Sequence, residues 1–485
     1  MASAVATITG FWGARRLALP LFVALAVFAM FFGLSPGLAD PDWWWHLETG
    51  KLILAGGAIP ETDPFSWTFQ GEPWTLQSWA FQLGLAWLWQ LGGEGAVAAA
   101  TAALLALAWW VAFATADRMI KRPALVVLLS LLLAAGIVGG GAPRPQLISY
   151  LAFALLLAAF FHAKYSGRSW PLLSVPVIMI VWVNCHGGFV LGVAAIVALC
   201  VLEWAQMVLG RRDGRQLRLC LWLTLTAAAS VAATGVNPWG YAHWAYPLYV
   251  AQLDLAADIV EWQSIMTSPL RGPWYALGGV LFFVILARAR QRPDLVEMLF
   301  PAALFVAGLM QARHAPFAGM AMLVFAAPAL WRDRAGPAPL PVAARLAGWV
   351  IALAGLATPA LLVQGPYRPA IEQVMPSDVT AFIAEERPAG RMFNDYAIGG
   401  YLIHRLGSDR LVFIDGRADL YGDAFYGAYA ATISAAVPPA VHFDGWNIGY
   451  AVLRPSHALT KILTMRGWRI AFRGRSHLVL VAPGG

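Results

Sequence analysis

Between Ala39 and Ser78 the sequence reads ADPDWWWHLETGKLILAGGAIPETDPFSWTFQGEPWTLQS, dense in acids and aromatics directly after an apolar run. Asp40 followed by Pro41 suits a helix N-cap with proline at the first helical position. If a helix starts there, Asp42 and His46 stand four residues apart on one face, with Glu48 about half a turn farther round. A carboxylate and an imidazole so placed can take a proton from an acceptor or hold a divalent cation. A plainer explanation also exists: Asp42 complements the helix dipole, and the tryptophans form an aromatic belt.

Later turns add further polar groups: Ala142-Pro143-Arg144-Pro145-Gln146, Asn184-Cys185-His186-Gly187-Gly188, Asn237-Pro238-Trp239-Gly240, Asp258 to Trp262, and Gln311-Ala312-Arg313-His314. Ionisable groups at span ends are costly unless solvated or paired, so they usually line a polar cavity. Each has a structural alternative. Arg144 and Arg313 can snorkel to headgroups, His186 and His314 can be satisfied structural histidines, and Asn237-Pro238 can be turn chemistry. Glu261-Trp262 can belong to an amphipathic surface helix. Their common sidedness is what argues for a shared chamber, and it follows from the elements that carry them.

Those elements are membrane helices. The chain is 60% hydrophobic and 12% charged, against about 25% charged in a soluble domain. Arg15 and Arg16 precede an apolar run from Leu17 to about Leu38, longer than a signal-peptide core and read as a retained span. Further runs follow near Ala96–Ala116, Ala124–Gly139, Leu147–Phe161, Leu172–Val183, Phe189–Leu209, Leu217–Thr234, Trp274–Leu286, Leu295–Met310, Pro316–Leu330 and Leu346–Val363. Basic residues recur at every second turn: Arg118, Lys121 and Arg122; Lys164 and Arg168; Arg211 to Arg218; Arg288 to Arg292; Arg332 to Arg345. The positive-inside rule assigns these to the cytoplasm and the polar turns above to the other side.

The apolar stretch Trp79–Leu91 would invert that assignment if it crossed, but it is short and bounded by Gly92-Gly93, so it reads as an interfacial helix. About eleven spans then leave the N-terminus cytoplasmic and the C-terminus outside a bacterial inner membrane. The net charge of +7 lies in short loops, where it orients helices and does not suggest nucleic acid. Cys185, Cys200 and Cys220 lie in or beside apolar segments and offer no disulfide framework or thiolate metal site.

From about Gln364, prolines and charges become frequent, and 364–485 reads as a small extracytoplasmic α/β domain after the 1–363 bundle. Its strand-like segments are Arg391–Asn394, Leu411–Ile414, Ile448–Leu453, Trp468–Phe472 and Leu478–Val481. There is no internal repeat.

Asp40-Pro41-Asp42-Trp43-Trp44-Trp45-His46, Ile59-Pro60-Glu61-Thr62-Asp63-Pro64-Phe65-Ser66, Pro73-Trp74 and Ser78-Trp79 resemble the first external loop of bacterial membrane proteins related to the GT-C glycosyltransferases. Arg144-Pro145-Gln146, Asn184 to Gly187, Asn237-Pro238, Glu261-Trp262, Gly399-Gly400-Tyr401-Leu402 and Asp415-Gly416-Arg417 are similar to an uncharacterised branch of that superfamily. The resemblance implies a membrane all-α fold: a polytopic GT-C-like bundle, a large first external loop (39–93) and the C-terminal α/β domain. It also implies a polyprenyl-phosphate-linked sugar donor, with a glycan, lipid or protein acceptor reached from the periplasmic face among membrane lipids. By position, the acid that activates the acceptor is Asp42, with Asp40 second. Transfer needs a base at the acceptor and cations at the departing phosphate. Arg144 and Arg313 would clamp the phosphate, His186 or His314 would assist, and His46, Glu48, Gln146, Asn237 and Glu261 would complete the substrate contacts. No oligosaccharyltransferase metal motif is evident, so no cofactor is assigned beyond a possible divalent cation.

Two other readings use the same residues. A transporter or flippase of lipid-linked sugars would show polar groups near mid-span, reachable from both sides. A non-catalytic assembly protein for envelope glycans would use the C-terminal domain, with Asp415 to Tyr421 as its binding segment, although a solvated turn before a helix explains that run as well.

Overall fold

The computed structural model describes residues 39–117, 141–210, 214–253, 260–269, 271–289, 292–330 and 374–484, apart from 440–442 and 444, with isolated positions at 24, 119, 128–131 and 133–134. Most of the expected spans at 17–38 and 124–139, all of that at 346–363, and Asp258 lie outside these residues.

The described chain is mostly helical. After α1 (Asp42–Gly56) come α2 (Trp79–Asp117), α3 (Gln146–Ser166), α4 (Ser174–Cys185), α5 (Phe189–Leu209), α6 (Gly214–Ala233), α7 (Arg271–Ala287), α8 (Leu295–Met310) and α9 (Ala315–Leu330). The expected spans between Ala96 and Leu330, save that at 124–139, fall on these helices. By length and composition, α2, α3, α5 and α6 can each cross a membrane. Helix α9 is buried on every side from Ala315 to Ala327, as a helix apolar all round must be at the centre of a bundle. Within α2 the helical path breaks at Gly92 and at Gly93, whose φ is +58°. The glycine pair therefore separates Trp79–Leu91 from the longer apolar stretch that follows.

The helix ends follow local chemistry. Asp40 Oδ1 accepts the Asp42 N–H at 3.0 Å, although the helix begins one residue later than expected, with Pro41 in the capping position. α1 and α3 both stop at glycines in the left-handed region, Gly57 and Gly167. α8 opens on a capping box in which Asp294 and Glu297 each accept the other's backbone N–H.

The C-terminal part carries α10 (Ser377–Glu386), β1 (Arg391–Asn394), α11 (Gly399–Leu406), α12 (Ala418–Ile433), β2 (Ile448–Leu453), α13 (Ala458–Met465), β3 (Arg469–Arg473) and β4 (Leu478–Val481). The sheet order is β1-β2-β4-β3, with β1 parallel to β2 and the other pairs antiparallel. Four expected strands are present; Leu411–Ile414 is not in the sheet. Val412, Phe413 and Ile414 are fully buried, which explains the strand-like pattern, but their backbone is satisfied elsewhere. Val412 exchanges hydrogen bonds with Phe65 and Trp67 of the first loop, and the Asn394 side chain binds Phe413 N and Ile414 O, each at 2.8 Å.

This pairing docks the C-terminal part onto the first loop. Trp43, Trp44 and Leu47 of α1 pack between Leu85 and Ala86 of α2 and Tyr401 of α11. With Trp43 and Trp44 at 0% and 2% exposure, these two are core side chains and not part of an aromatic belt. A Cβ on Gly400 would stand 2.5 Å from the Pro41 carbonyl, so α11 reaches α1 only as glycine.

Candidate active site beside the first loop

Arg144 follows Pro143 in the turn that leads into α3, and its guanidinium gathers three acids from two parts of the chain. Nε donates to Asp40 Oδ1 at 2.8 Å, Nη2 donates to Asp42 Oδ2, and Nη1 reaches Glu261 Oε1 at 3.4 Å. The side chains of Arg144, Asp40 and Asp42 are about four-fifths buried, whereas that of Glu261 is 43% exposed. Burial opposes the charge on Arg144, but the carboxylates outweigh it and hold its pKa well above the ordinary value. Burial pushes Asp42 up to about 7; Arg144 pulls it back, and Asp40, Glu261 and Asp415 push it further up.

Glu261 is the link from this cluster to a cavity of about 510 Å³, where Gln146, His186, Arg313 and His314 also contribute to the wall. The Arg313 guanidinium lies over the Trp262 ring at 3.3 Å, and its Nε donates to Gln311 Oε1 at 3.0 Å. Burial, opposed by Glu261, lowers Arg313 to about 10, which leaves it charged at neutral pH. His314 lowers likewise through burial and then Arg313, and its Nδ1 is buried with no partner among the described residues.

The sequence-predicted site residues divide into two groups. Asp40, Asp42, Arg144 and Glu261 meet directly, and Gln146, His186, Glu261, Arg313 and His314 share the cavity. The other three are held elsewhere. His46 is buried, stacked on Trp45, with Nδ1 on Gln82 Nε2 at 2.9 Å. Glu48 binds Lys51 and the His404 ring of α11, at 2.7 and 2.6 Å. Asn237 closes its own turn, donating to Thr234 O and Gly240 O and accepting from Trp239 N.

The same contacts test the cation expected between Asp42 and His46. Arg144 occupies the carboxylate and Gln82 the imidazole, so these donors do not converge on an ion. Among the described residues no group of three His, Cys, Asp or Glu side chains could hold a metal.

Sequence reading missed what lies behind Asp42. A Cβ on Gly416 would fall 1.8 Å from Asp42 Oδ1, so the Asp415-Gly416-Arg417 turn of the C-terminal part is the wall against that carboxylate. Arg417 is completely buried: Nε and Nη2 grip Asp415 at 2.8 and 2.6 Å, and Nη1 reaches Asp63 of the first loop at 2.6 Å. Arg271 also lines the cavity. A glycine between charged residues, just after the apolar run Leu411–Ile414, was the available signal for a close backbone approach.

No family model matches the chain, and no curated protein matches it by sequence. Solved structures match its fold. ArnT from Cupriavidus metallidurans bound to undecaprenyl phosphate aligns with a TM-score of 0.52 at 15% identity, covering 98% of this chain and 99% of that one. The apo oligosaccharyltransferase of Archaeoglobus fulgidus aligns with a TM-score of 0.53 at 12% identity, covering 92% of this chain and 70% of that one. The same archaeal enzyme in complex with Zn and sulfate aligns with a TM-score of 0.51 at 12% identity, covering 90% of this chain and 68% of that one. The chain thus has a GT-C-like fold over nearly its whole length.

Proposed function

We propose that this protein is a membrane glycosyltransferase that moves a sugar from a polyprenyl-phosphate donor to an acceptor hydroxyl or amide on the periplasmic face of a bacterial inner membrane. The observation that carries the reading is Asp42, held by Arg144 with Asp40 and joined through Glu261 to a cavity that presents Arg313, Arg271 and His186. The undecaprenyl phosphate bound to ArnT supports a lipid phosphate as the cavity's occupant. In this reading 1–363 is the bundle of about eleven spans and 364–485 the periplasmic domain.

In the transfer step the acceptor's lone pair forms a bond to the sugar's anomeric carbon, and Asp42 takes the acceptor's proton. The bond from that carbon to the phosphate oxygen breaks, and its electron pair leaves with the polyprenyl phosphate. A base with pKa near 7 is half ionised at neutral pH and still accepts a proton readily. Arg144 orients Asp42, while Arg313 and Arg271 stabilise charge on the departing phosphate. Glu261 sits between the two functions, bound to Arg144 and facing the cavity.

Transport of lipid-linked sugars would call for a polar path along the spans. From Leu151 to Phe161, α3 offers only apolar side chains between Arg144 at one end and Lys164 at the other, which favours chemistry at one end of the bundle.

The test is Asp42→Asn in membranes that contain the native donor lipid. Loss of a general base should lower transfer by about 10²–10⁴-fold, with undecaprenyl phosphate still bound. Full transfer by the variant would remove Asp42 from the mechanism.

A further inference from the structure

His186 caps α4 at the cavity wall, and its ring is fixed by neighbours that the transfer step does not use. Trp182, one turn earlier, donates its indole N–H to Ser149 Oγ at 2.6 Å. An indole nitrogen can only donate, so the serine oxygen is the acceptor there. The serine's own proton is then available for His186 Nδ1, 2.6 Å away. The backbone N–H of Gly188 also points at Nδ1, at 3.3 Å. With two donors aimed at it, Nδ1 must keep its lone pair, and the ring's proton sits on Nε2.

Two glycines make the arrangement possible. A Cβ on Gly188 would lie 2.7 Å from both His186 Nδ1 and Ser149 Oγ, and a Cβ on Gly192 would meet the Trp182 ring at 2.4 Å. The run His186-Gly187-Gly188 is therefore a seat for one imidazole tautomer as well as a turn. Burial, and then Arg313, lower the ring to about 4, and the donors at Nδ1 act in the same direction. Arg313, from the turn before α9, and His46 of α1, itself lowered by burial, act on it electrostatically, and Glu261, Arg271, His314, Tyr150 and Tyr246 share its cavity wall.

We propose that His186 is a fixed, neutral hydrogen-bond donor that offers Nε2–H to a phosphate oxygen in the cavity, with Ser149, Trp182 and Gly188 as its positioning residues. The phosphate rests on the glycosyl-transfer reading; the tautomer does not. A neutral donor beside Arg313 adds a directed bond without a further positive charge, and it excludes His186 from proton transfer at neutral pH.

The experiment uses the full chain in lipid nanodiscs with ¹⁵N-labelled histidine, His186 being assigned by its disappearance in His186→Gln. Magic-angle-spinning spectra should show an unprotonated Nδ1 and a protonated Nε2 that do not titrate between pH 8 and 5. Ser149→Ala should bring in the other tautomer or raise the midpoint. Undecaprenyl phosphate, titrated into the same nanodiscs, should bind His186→Ala about tenfold more weakly. His186→Gln, which keeps an N–H donor, should stay within about threefold of the wild type. An Nδ1–H signal, or titration of the wild-type ring between pH 5 and 7, would overturn the tautomer whether or not the lipid binds. Unchanged affinity in His186→Ala would overturn the donor role. Failure of the wild-type protein to bind the lipid would overturn the lipid-phosphate reading and the anion assigned to His186, leaving the spectra to judge the ring.

Discussion

Arg144 and Arg417 each sit among acids from distant parts of the chain, yet the two clusters are closed to different degrees. Around Arg417 every carboxylate has several donors. Asp415 accepts from Arg417 three times and from the Tyr421 hydroxyl, and Asp63 accepts from Arg417, from Phe65 N and from Ser66. None of that side-chain surface is exposed for Arg417, Asp63 or Asp415. Around Arg144, by contrast, Asp42 accepts only from the guanidinium among the described residues, and Glu261 lies open at the cavity. Only the Arg144 cluster is left open to chemistry. A carboxylate saturated with donors is committed to structure, while one that shares a single guanidinium with two other acids is poised to take a proton.

Arg417→Met would leave Asp63 and Asp415 as buried carboxylates without a countercharge, an expected loss of about 3–5 kcal/mol, read as a fall in thermal unfolding temperature in detergent. An unchanged transition would mean that the Arg417 cluster does not hold the first loop to the C-terminal part.

Gly416→Ala probes the wall between the two clusters. The added methyl would press on Asp42 Oδ1 and should cost about 1–3 kcal/mol through overpacking. Transfer should fall by more than stability alone explains, because the displaced group is the proposed base. Equal effects in unfolding and transfer assays would make Gly416 a packing residue only.

The smallest effect is the pH response of Asp42. Burial raises its pKa to about 7, so between the ordinary carboxylate value and 7 the folded protein holds a proton that the unfolded chain has lost. The stability this group contributes is present at low pH and is lost as pH rises through 7, whereas transfer, which needs the carboxylate, rises over the same range. Opposite slopes in unfolding temperature and initial rate are expected, and Asp42→Asn should flatten the first. Parallel slopes would assign the titration to another group.

Much of the fold is legible in the sequence because hydropathy and glycine breaks are local. The apolar runs from Ala96 to Leu330, save that at 124–139, the stop at Gly92-Gly93, the start of α1 beside Asp40 and four strands all follow from residues near one another in the chain. Leu411–Ile414 misleads for the same reason: its pattern reports burial truly but does not name its partner, which is the first loop. The candidate site was legible as a set of residue types on alternate turns. Helical spacing placed Asp42 and His46 on one face, but packing sent His46 to Gln82 and Asp42 to Arg144.

By itself, then, the sequence determined that a lipid-solvated helical chain would gather Asp42, Arg144, Glu261 and Arg313 at related turns, since span periodicity and loop charge depend only on neighbours in the chain. Tertiary structure alone decided which acid each guanidinium would meet, that Gly416 would stand against Asp42, and that Ser149 and the Gly188 N–H would stand at His186 Nδ1. Charge pairing and hydrogen-bond direction depend on distances of a few ångströms between segments from tens to hundreds of residues apart, and such distances are set only when the helices and the C-terminal part pack.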